Sequence, residues 1–201
     1  GIMFLQKADS IDFVATDGYR LSLKTLPQTL LPESGHGLIL SARVIQEILA
    51  LKLDEKTTID MYILTAGNQV VFEVGDVTLV GRLIDGEFPP YQKVIPTSFK
   101  TQFEVDREEL SSALRLVSVF ARDYSNIIIC EIKKEGINLS PKVDGGAEGS
   151  TAFQEGDGEG LEQKIAFNFR FVNDFLSTNR SKKIQIEVLR PDAPVVFKEE
   201  G

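Results

Sequence analysis

The side chains that most often carry catalysis are few and scattered in this sequence of 201 residues. The only histidine, His36, lies in the segment Leu-Pro-Glu-Ser-Gly-His-Gly, and no G-x-S-x-G serine motif accompanies it. Hydrolytic or nucleophilic catalysis requires a nucleophile, a base and an orienting group within hydrogen-bonding distance. The only cysteine, Cys130, lies in the apolar run Asn-Ile-Ile-Ile-Cys-Glu-Ile, which favours a buried thiol over a reactive one. The sequence therefore predicts no enzyme.

Three carboxylates near the start of the chain, Asp9, Asp12 and Asp17, are the best candidates for a metal site. They fall on alternating strand and turn positions that do not converge, and no cluster has metal-ligand spacing. We therefore expect no metal and no cofactor. A carboxylate-metal hydrolase is kept as a minor alternative, which predicts stabilisation by a divalent cation that Asp17→Asn abolishes.

The glycine-rich acidic stretch from Val143 to Gly160 is a second feature with possible chemistry. A glycine loop that holds phosphate needs a following helix N-terminus and usually a lysine. Since this stretch has neither, it is predicted to be a mobile hairpin loop.

The overall composition is that of an ordinary soluble globular protein, with 42% hydrophobic and 26% charged residues. No run of about 18 apolar residues suggests a membrane span, and the first residues lack the pattern of a secretory signal. We therefore expect a cytoplasmic protein. The net charge of −8 argues against nucleic acid unless the 22 lysines and arginines gather on one face.

The elements that must position these side chains follow a repeat. Three apolar strands end on the helix-capping residues Ser41, Asp106 and Asn168, which lie 65 and 62 residues apart. Apolar residues follow each cap at the spacing of an amphipathic helix. They lie four, seven and eight residues on: Ile45, Ile48 and Leu49; Leu110, Ala113 and Leu114; Val172, Phe175 and Leu176. Each unit is predicted to be a strand, a helix, and then two or three antiparallel strands, which gives an α+β fold.

Domain boundaries follow from the same repeat. Residues 1–24 are interpreted as the tail of a further unit and residues 38–86 as a full unit. Residues 87–102 contain three prolines and are predicted to be a stiff linker between domains. Residues 103–201 then form the second domain, and we expect it to lack one final strand.

Three motifs resemble those of the beta sliding clamp family of bacterial replicative DNA polymerases. They are Ala-Thr-Asp-Gly-Tyr-Arg-Leu at 15–21, Gly-Arg-Leu-Ile-Asp-Gly-Glu-Phe-Pro-Pro-Tyr at 81–91, and Ile-Ala-Phe-Asn at 165–168. The resemblance implies that residues 1–90 are the C-terminal half of the middle clamp domain and residues 103–201 most of the third. It further implies helices on a concave face, sheets outside, and a homodimeric ring around duplex DNA.

The resemblance also implies three sets of site residues. Polymerases, the clamp loader and repair proteins would bind through short peptides to Thr16, Gly18, Tyr19, Arg20, Leu21, Pro89, Lys93, Val94 and Pro194. The DNA-facing cations would be Arg43, Lys52, Arg107, Arg115 and Arg170, and the subunit contact would include Val119 and Phe120. This chain departs from the family at Tyr19, where histidine is frequent, and at Lys93, where arginine is usual. A peptide-binding or oligomeric scaffold unrelated to DNA is the main alternative, since the same repeat could serve it.

Overall fold

The computed structural model describes residues 1–28, 31, 37–51, 53–54, 56–122, 125–142 and 151–200. The chain forms two compact units, Gly1–Tyr91 (unit 1) and Gln92–Gly201 (unit 2). His36, Lys52 and residues 143–150 lie outside the described residues. None of the helices in the described part of the chain has the length and hydropathy needed to span a membrane.

Unit 1 contains two antiparallel sheets and one helix in its described residues. The first sheet has the strand order β3-β2-β1-β4 and the second has the order β5-β6-β7. A bridge between Leu40 and Leu83 lies where the sheets meet. The elements are β1 Ile2–Gln6, β2 Ile11–Thr16, β3 Leu21–Leu26, β4 Leu38–Leu40, α1 Ala42–Ala50, β5 Asp60–Leu64, β6 Gln69–Val74 and β7 Val77–Arg82.

Alternation along the strands of unit 1 separates a core face from an outer face. Val70 and Phe72 of β6 pack with Leu40 of β4 and Ile48 of α1 in one buried apolar cluster. On the outer face of the second sheet Tyr62 is 49% exposed. Helix α1 therefore covers only the inner face, as its amphipathic pattern requires.

Unit 2 contains one antiparallel sheet and two helices in its described residues. The sheet order is β12-β9-β10-β11-β8-β13-β14. Helix α2 packs on β8 to β11, helix α3 packs on β12, and the two helices contact each other. The elements are β8 Thr101–Asp106, α2 Arg107–Ala121, β9 Ile127–Lys133, β10 Gly136–Pro141, β11 Ala152–Gly160, β12 Gln163–Asn168, α3 Phe169–Thr178, β13 Lys183–Val188 and β14 Val196–Glu199.

The three predicted helix caps are confirmed. The Ser41 side chain accepts from the Arg43 backbone N–H, that of Asp106 from Glu108 and Glu109, and that of Asn168 from Arg170. Each cap has extended backbone dihedrals, so the same residue ends a strand and starts a helix. The repeated strand, helix and antiparallel strands therefore form at all three places.

The prediction of a mobile loop from Val143 to Gly160 is wrong for its second half. Ala152–Gly160 is strand β11, which pairs with both β10 and β8 inside the sheet. A Cβ atom at Gly156 would lie 2.6 Å from the Phe103 ring, so this glycine makes room for an aromatic side chain. Glycine inside a strand thus marks close packing here rather than freedom of the backbone.

The amphipathic pattern of the first helix also fails at one position. Leu114 and Leu176, eight residues after their caps, are each 1% exposed, whereas the corresponding Leu49 is 75% exposed. Leu114 and Leu176 belong to helices that contact each other. Burial of this position therefore depends on a neighbouring helix as well as on the sheet beneath.

Candidate binding surfaces

The turn between β2 and β3 is held by its own side chains. Oδ1 of Asp17 accepts from the backbone N–H groups of Tyr19 and Arg20, both at 3.0 Å, and Oδ2 accepts from Nε of Arg20 at 3.1 Å. The Thr16 hydroxyl donates to the Arg20 carbonyl at 2.8 Å and accepts from the Gly18 N–H at 3.1 Å. Backbone hydrogen bonds from Tyr19 and Arg20 lower the pKa of Asp17. The turn is therefore closed by its own hydrogen bonds, and its aspartate is ionised.

Gly18 and Tyr19 have distinct places in this turn. Gly18 has a φ of +89°, a left-handed conformation that favours glycine. Tyr19 is 88% exposed at the tip, and Leu21 lies half-buried at the start of β3. The turn thus presents an aromatic ring and an aliphatic side chain at its surface, beside the backbone of a glycine.

The segment that ends unit 1 is fastened to the first sheet through Asp12. Its carboxylate is 1% exposed, and Oδ2 lies 2.8 Å from the Tyr91 hydroxyl and 2.6 Å from Nζ of Lys7. Oδ1 accepts from the Thr25 hydroxyl at 2.7 Å. Burial alone would raise the pKa of Asp12, but the hydrogen bonds from Lys7, Thr25 and Tyr91 outweigh it and lower the pKa. Tyr91 is itself 4% exposed, so Asp12 holds a buried ring in place.

Two of the three carboxylates considered as metal ligands form hydrogen bonds within the protein. Both oxygens of Asp12 are occupied by donors, and Asp17 is committed to its own turn. Asp9 lies exposed in the turn between β1 and β2. Within the described ranges, no group of three or more histidine, cysteine, aspartate and glutamate side chains could hold a metal ion.

The thiol of Cys130 has the environment expected from the apolar run around it. The residue is 2% exposed in the core of unit 2. Burial raises the pKa of the thiol, and the charge of Glu131 raises it further. A thiol kept protonated in a core is a poor nucleophile.

The residues named for the peptide site are divided between the two units. The five hairpin residues and the exposed Pro89 belong to unit 1. Lys93 and Val94 belong to unit 2, where Lys93 ends the short 3-10 turn Tyr91–Lys93 and Val94 is 53% exposed. Pro194 lies exposed between β13 and β14. Within unit 1, the structure brings the five hairpin residues together.

Three of the proposed DNA-facing arginines lie exposed on helices. Arg43 is on α1 with its side chain 87% exposed, 3.9 Å from Glu47. Arg115 is on α2, 3.4 Å from the Ser112 hydroxyl, and Arg170 is in the first turn of α3. These three side chains are in positions from which they can extend into solvent.

Arg107 has a structural role that the sequence did not reveal. Its Nε donates to the Ser181 carbonyl at 3.0 Å, and Nη1 donates to the Leu176 carbonyl at 3.4 Å. Its side chain is only 23% exposed and pairs with Glu108. Arg107 thus ties the start of α2 to the end of α3 by satisfying carbonyls at a helix C-terminus.

The last turns of α2 carry an apolar surface. Leu116, Val119 and Phe120 are 51%, 59% and 43% exposed. An open groove of about 710 Å³ lies between α2 and β11, lined by Leu116 and Phe153 and by acidic side chains that include Glu108, Glu109 and Glu155. Clustered exposed apolar side chains of this kind commonly mark contact surfaces.

Comparison with known proteins defines the class of this fold. The solved structure of the DNA polymerase III beta subunit from Thermotoga maritima superimposes with a TM-score of 0.87 at 28% sequence identity, over 99% of this chain and 53% of that one. The fold is therefore α+β of the sliding-clamp type, built from repeated strand, helix and antiparallel-strand units.

The sequence profiles give the family. The DNA polymerase III beta subunit central domain matches residues 1–90, and the C-terminal domain of the same subunit matches residues 92–201. The chain belongs to the DNA polymerase III beta subunit family. The beta sliding clamp of Synechococcus elongatus is 30% identical over 98% of this chain and 53% of its own length, and that of Synechocystis is 27% identical over 98% and 54%. The chain thus spans about half the length of the curated relatives it matches.

Proposed function

We propose that this protein is a subunit of a DNA sliding clamp, a processivity factor that encircles duplex DNA and tethers polymerases. The observation that carries the proposal is that the central and C-terminal domains of the beta subunit match adjoining spans, residues 1–90 and 92–201. A closed ring traps DNA by topology, so it needs no tight or sequence-specific contact. The proposed role is non-catalytic and belongs in the cytoplasm, where bacterial DNA is replicated.

The proposed DNA contact uses the exposed helix arginines. Arg43, Arg115 and Arg170 each supply an exposed positive charge, and phosphate attraction does not depend on base sequence. A net charge of −8 is compatible with this contact, because binding depends on local rather than total charge. Lys52 stays a candidate for DNA contact from its sequence position. Arg107 is proposed to support this surface indirectly, because it joins the start of α2 to the end of α3.

A charge-reversal experiment tests the DNA contact. The triple variant Arg43→Glu, Arg115→Glu and Arg170→Glu should weaken duplex binding at low salt and reduce its salt dependence, since each phosphate contact contributes a slope of about 0.9. A matched control reverses the exposed Arg82, Lys164 and Arg190, which lie on strands or in a turn. Duplex affinity is measured by fluorescence anisotropy. Equal losses of affinity in both triple variants would show an effect of net charge alone and would contradict the proposed DNA contact through the helices.

The proposed partner site accepts short peptides with an apolar end. Leu21, Pro89 and Val94 supply apolar surface, Gly18 allows a close approach of backbone, and Arg20 and Lys93 supply cations for polar peptide groups. Tyr19, Thr16 and Pro194 complete the set. The hydrogen-bonded turn around Asp17 supports this proposal, because a preformed surface loses little entropy on binding.

Peptide titration tests this site. In the natural full-length protein, Leu21→Ala or Val94→Glu should weaken binding of a labelled polymerase tail peptide, with the apolar loss at Leu21 on the order of 1–2 kcal/mol. Leu23→Ala is the matched control, because Leu23 is a second leucine on β3, exposed to solvent and further from the turn. Unchanged affinity in both test variants would rule out the proposed peptide site.

The subunit contact of a homodimeric ring is proposed at Val119 and Phe120. Their exposure beside Leu116 supports this, since dimer contacts are richer in apolar side chains than the rest of the surface. Val119→Asp should shift the natural protein towards monomer in sedimentation velocity at micromolar concentration. An unchanged dimer in that variant would place the contact elsewhere.

A further inference from the structure

A buried carboxylate joins the first sheet to a residue 79 positions further along the chain. Asp12 is the second residue of β2, and its partner Tyr91 directly follows Pro89 and Pro90. The hydrogen bond from the Tyr91 hydroxyl to Oδ2 is 2.8 Å long, with both residues almost fully buried. A hydrogen bond to an ionised group is stronger than one between neutral groups, and burial shields it from water.

The other partners of Asp12 favour the charged form of its carboxylate. Thr25 lies directly opposite Asp12 on β3 and donates to Oδ1. Lys7, whose side chain is 50% exposed, places its ammonium 2.6 Å from Oδ2 on the solvent side. These two donors satisfy the carboxylate and favour its charged form, and the direct contact with Tyr91 is the separate hydrogen bond to Oδ2.

The segment that Tyr91 anchors depends on such a side-chain contact. Pro89 and Pro90 have no backbone N–H, so this part of the chain cannot donate the hydrogen bonds that fix an ordinary strand. Pro89 precedes Tyr91 by two residues, and Lys93 and Val94 follow it by two and three. Movement of the Tyr91 ring would therefore displace residues on both sides that are proposed to meet the peptide.

We infer that Asp12 is a positioning residue of the partner-peptide surface, which it acts on by holding the Tyr91 hydroxyl and so fixing the segment from Pro89 to Val94. This inference rests on the proposed peptide-binding function. Asp12 itself touches no peptide. It sets the conformation that the peptide meets, and binding then does not have to order the segment.

Three single variants separate positioning from general stability. Tyr91→Phe removes the hydroxyl and keeps the buried ring, and Asp12→Asn removes the charge of the acceptor. Thr25→Val is the matched control, because it removes another hydrogen bond to the same carboxylate but leaves that of Tyr91. All three lose some stability, so peptide affinity is measured at a temperature where each variant is fully folded by circular dichroism.

The expected result is a split between affinity and stability. With a fluorescein-labelled polymerase tail peptide, Tyr91→Phe and Asp12→Asn each weaken binding about fivefold, the effect of one hydrogen bond, while Thr25→Val stays within about twofold. The double variant of Asp12 and Tyr91 should be no weaker than either single variant, because both remove the same contact. If Leu21→Ala weakens binding but Tyr91→Phe does not, the positioning role is overturned and the peptide site stands.

A second measurement decides the inference without any peptide. Lys93 is exposed, and trypsin cleavage of the folded protein after this residue reports how firmly the segment is held. Cleavage should be faster in Tyr91→Phe than in Thr25→Val, with cleavage after Lys133 as the internal reference. Equal rates would overturn the anchor. If Tyr91→Phe is cleaved faster but the unaltered protein binds no peptide, the anchor is supported and the proposed peptide site is rejected.

Discussion

The two units share the repeat of a strand, a helix and antiparallel strands but bury their helices to different degrees. In unit 2, Leu114 and Leu176 are each 1% exposed, and their helices contact each other above the sheet. In unit 1, α1 is the single α-helix among the described residues, and the equivalent Leu49 is 75% exposed. The difference shows that an amphipathic pattern identifies a helix without fixing how many neighbours bury it.

The cores differ in the same direction. The apolar cluster of unit 2 contains twenty buried residues, against four in the described cluster of unit 1, so unit 2 has more apolar burial to stabilise it. Both units also contain buried polar groups, and in the described part of unit 1 these are Gln6 and Asp12. Nε2 of Gln6 donates to the carbonyls of Lys7 and Ser10 at 2.7 and 2.9 Å, and its Oε1 accepts from the Leu31 N–H at 3.0 Å. Polar contacts with defined geometry thus hold the connections of the smaller core.

The largest expected effect lies at the position where the two units differ most. Leu114→Ala should destabilise unit 2 by about 3 kcal/mol, because it leaves a cavity in a packed core. Native-state hydrogen exchange read on peptides from β9 and β10 measures this loss, and peptides from β6 provide a reference in unit 1.

Leu49→Ala is the matched control at the corresponding position of α1. Its effect should stay within about 0.5 kcal/mol, as for other exposed side chains. Similar losses for Leu49→Ala and Leu114→Ala would contradict the difference between the units.

Acid should weaken unit 1 through Asp12. Since its folded pKa is lowered from 3.8, the folded state binds fewer protons than the unfolded state in acid. The contribution of Asp12 is therefore present at neutral pH and is lost as the pH falls below about 4. Asp12→Asn should cost about 2 kcal/mol at pH 7, and its difference from the unaltered protein should shrink in acid. Hydrogen exchange of β2 peptides at both pH values checks this, and a constant difference would show that Asp12 is not the titrating group.

The helix caps give the smallest difference between the units. Asp106 accepts two backbone N–H groups, at 2.8 and 3.0 Å, whereas Ser41 accepts one at 3.3 Å. Asp106→Ala should cost about 1–2 kcal/mol and Ser41→Ala about 0.5 kcal/mol. Urea unfolding of both variants by circular dichroism gives the order, and a larger loss at Ser41 would contradict it.

The sequence was sufficient for local features and insufficient for those set by distant contacts. The caps at Ser41, Asp106 and Asn168 were predictable because a capping residue acts on its own helix. The role of Arg107 was not predictable, because its carbonyl partners Leu176 and Ser181 lie 69 and 74 positions further along the chain. The glycine-rich sequence of β11 is typical of a loop. Its packing was not predictable, because the Phe103 ring beside Gly156 and Gly158 belongs to another strand.

The candidate sites divide along the same line. The turn around Asp17 follows from residues within four positions of each other, and its motif was visible in the sequence. Asp12 was considered only as a metal ligand, since nothing local indicated a tyrosine 79 residues away. The sequence also does not decide whether Val119 and Phe120 are exposed, because an apolar residue on a helix can equally belong to the core.

The central claim is that the natural protein encloses DNA, and a topological measurement tests it most directly. The labelled protein is loaded onto nicked circular DNA with a clamp loader and ATP, and retention is followed by gel filtration at high salt before and after the circle is cut. The account predicts that the protein stays on the circle and is lost from the linear product. Retention that survives cutting, or loss from the intact circle under the same conditions, would contradict it.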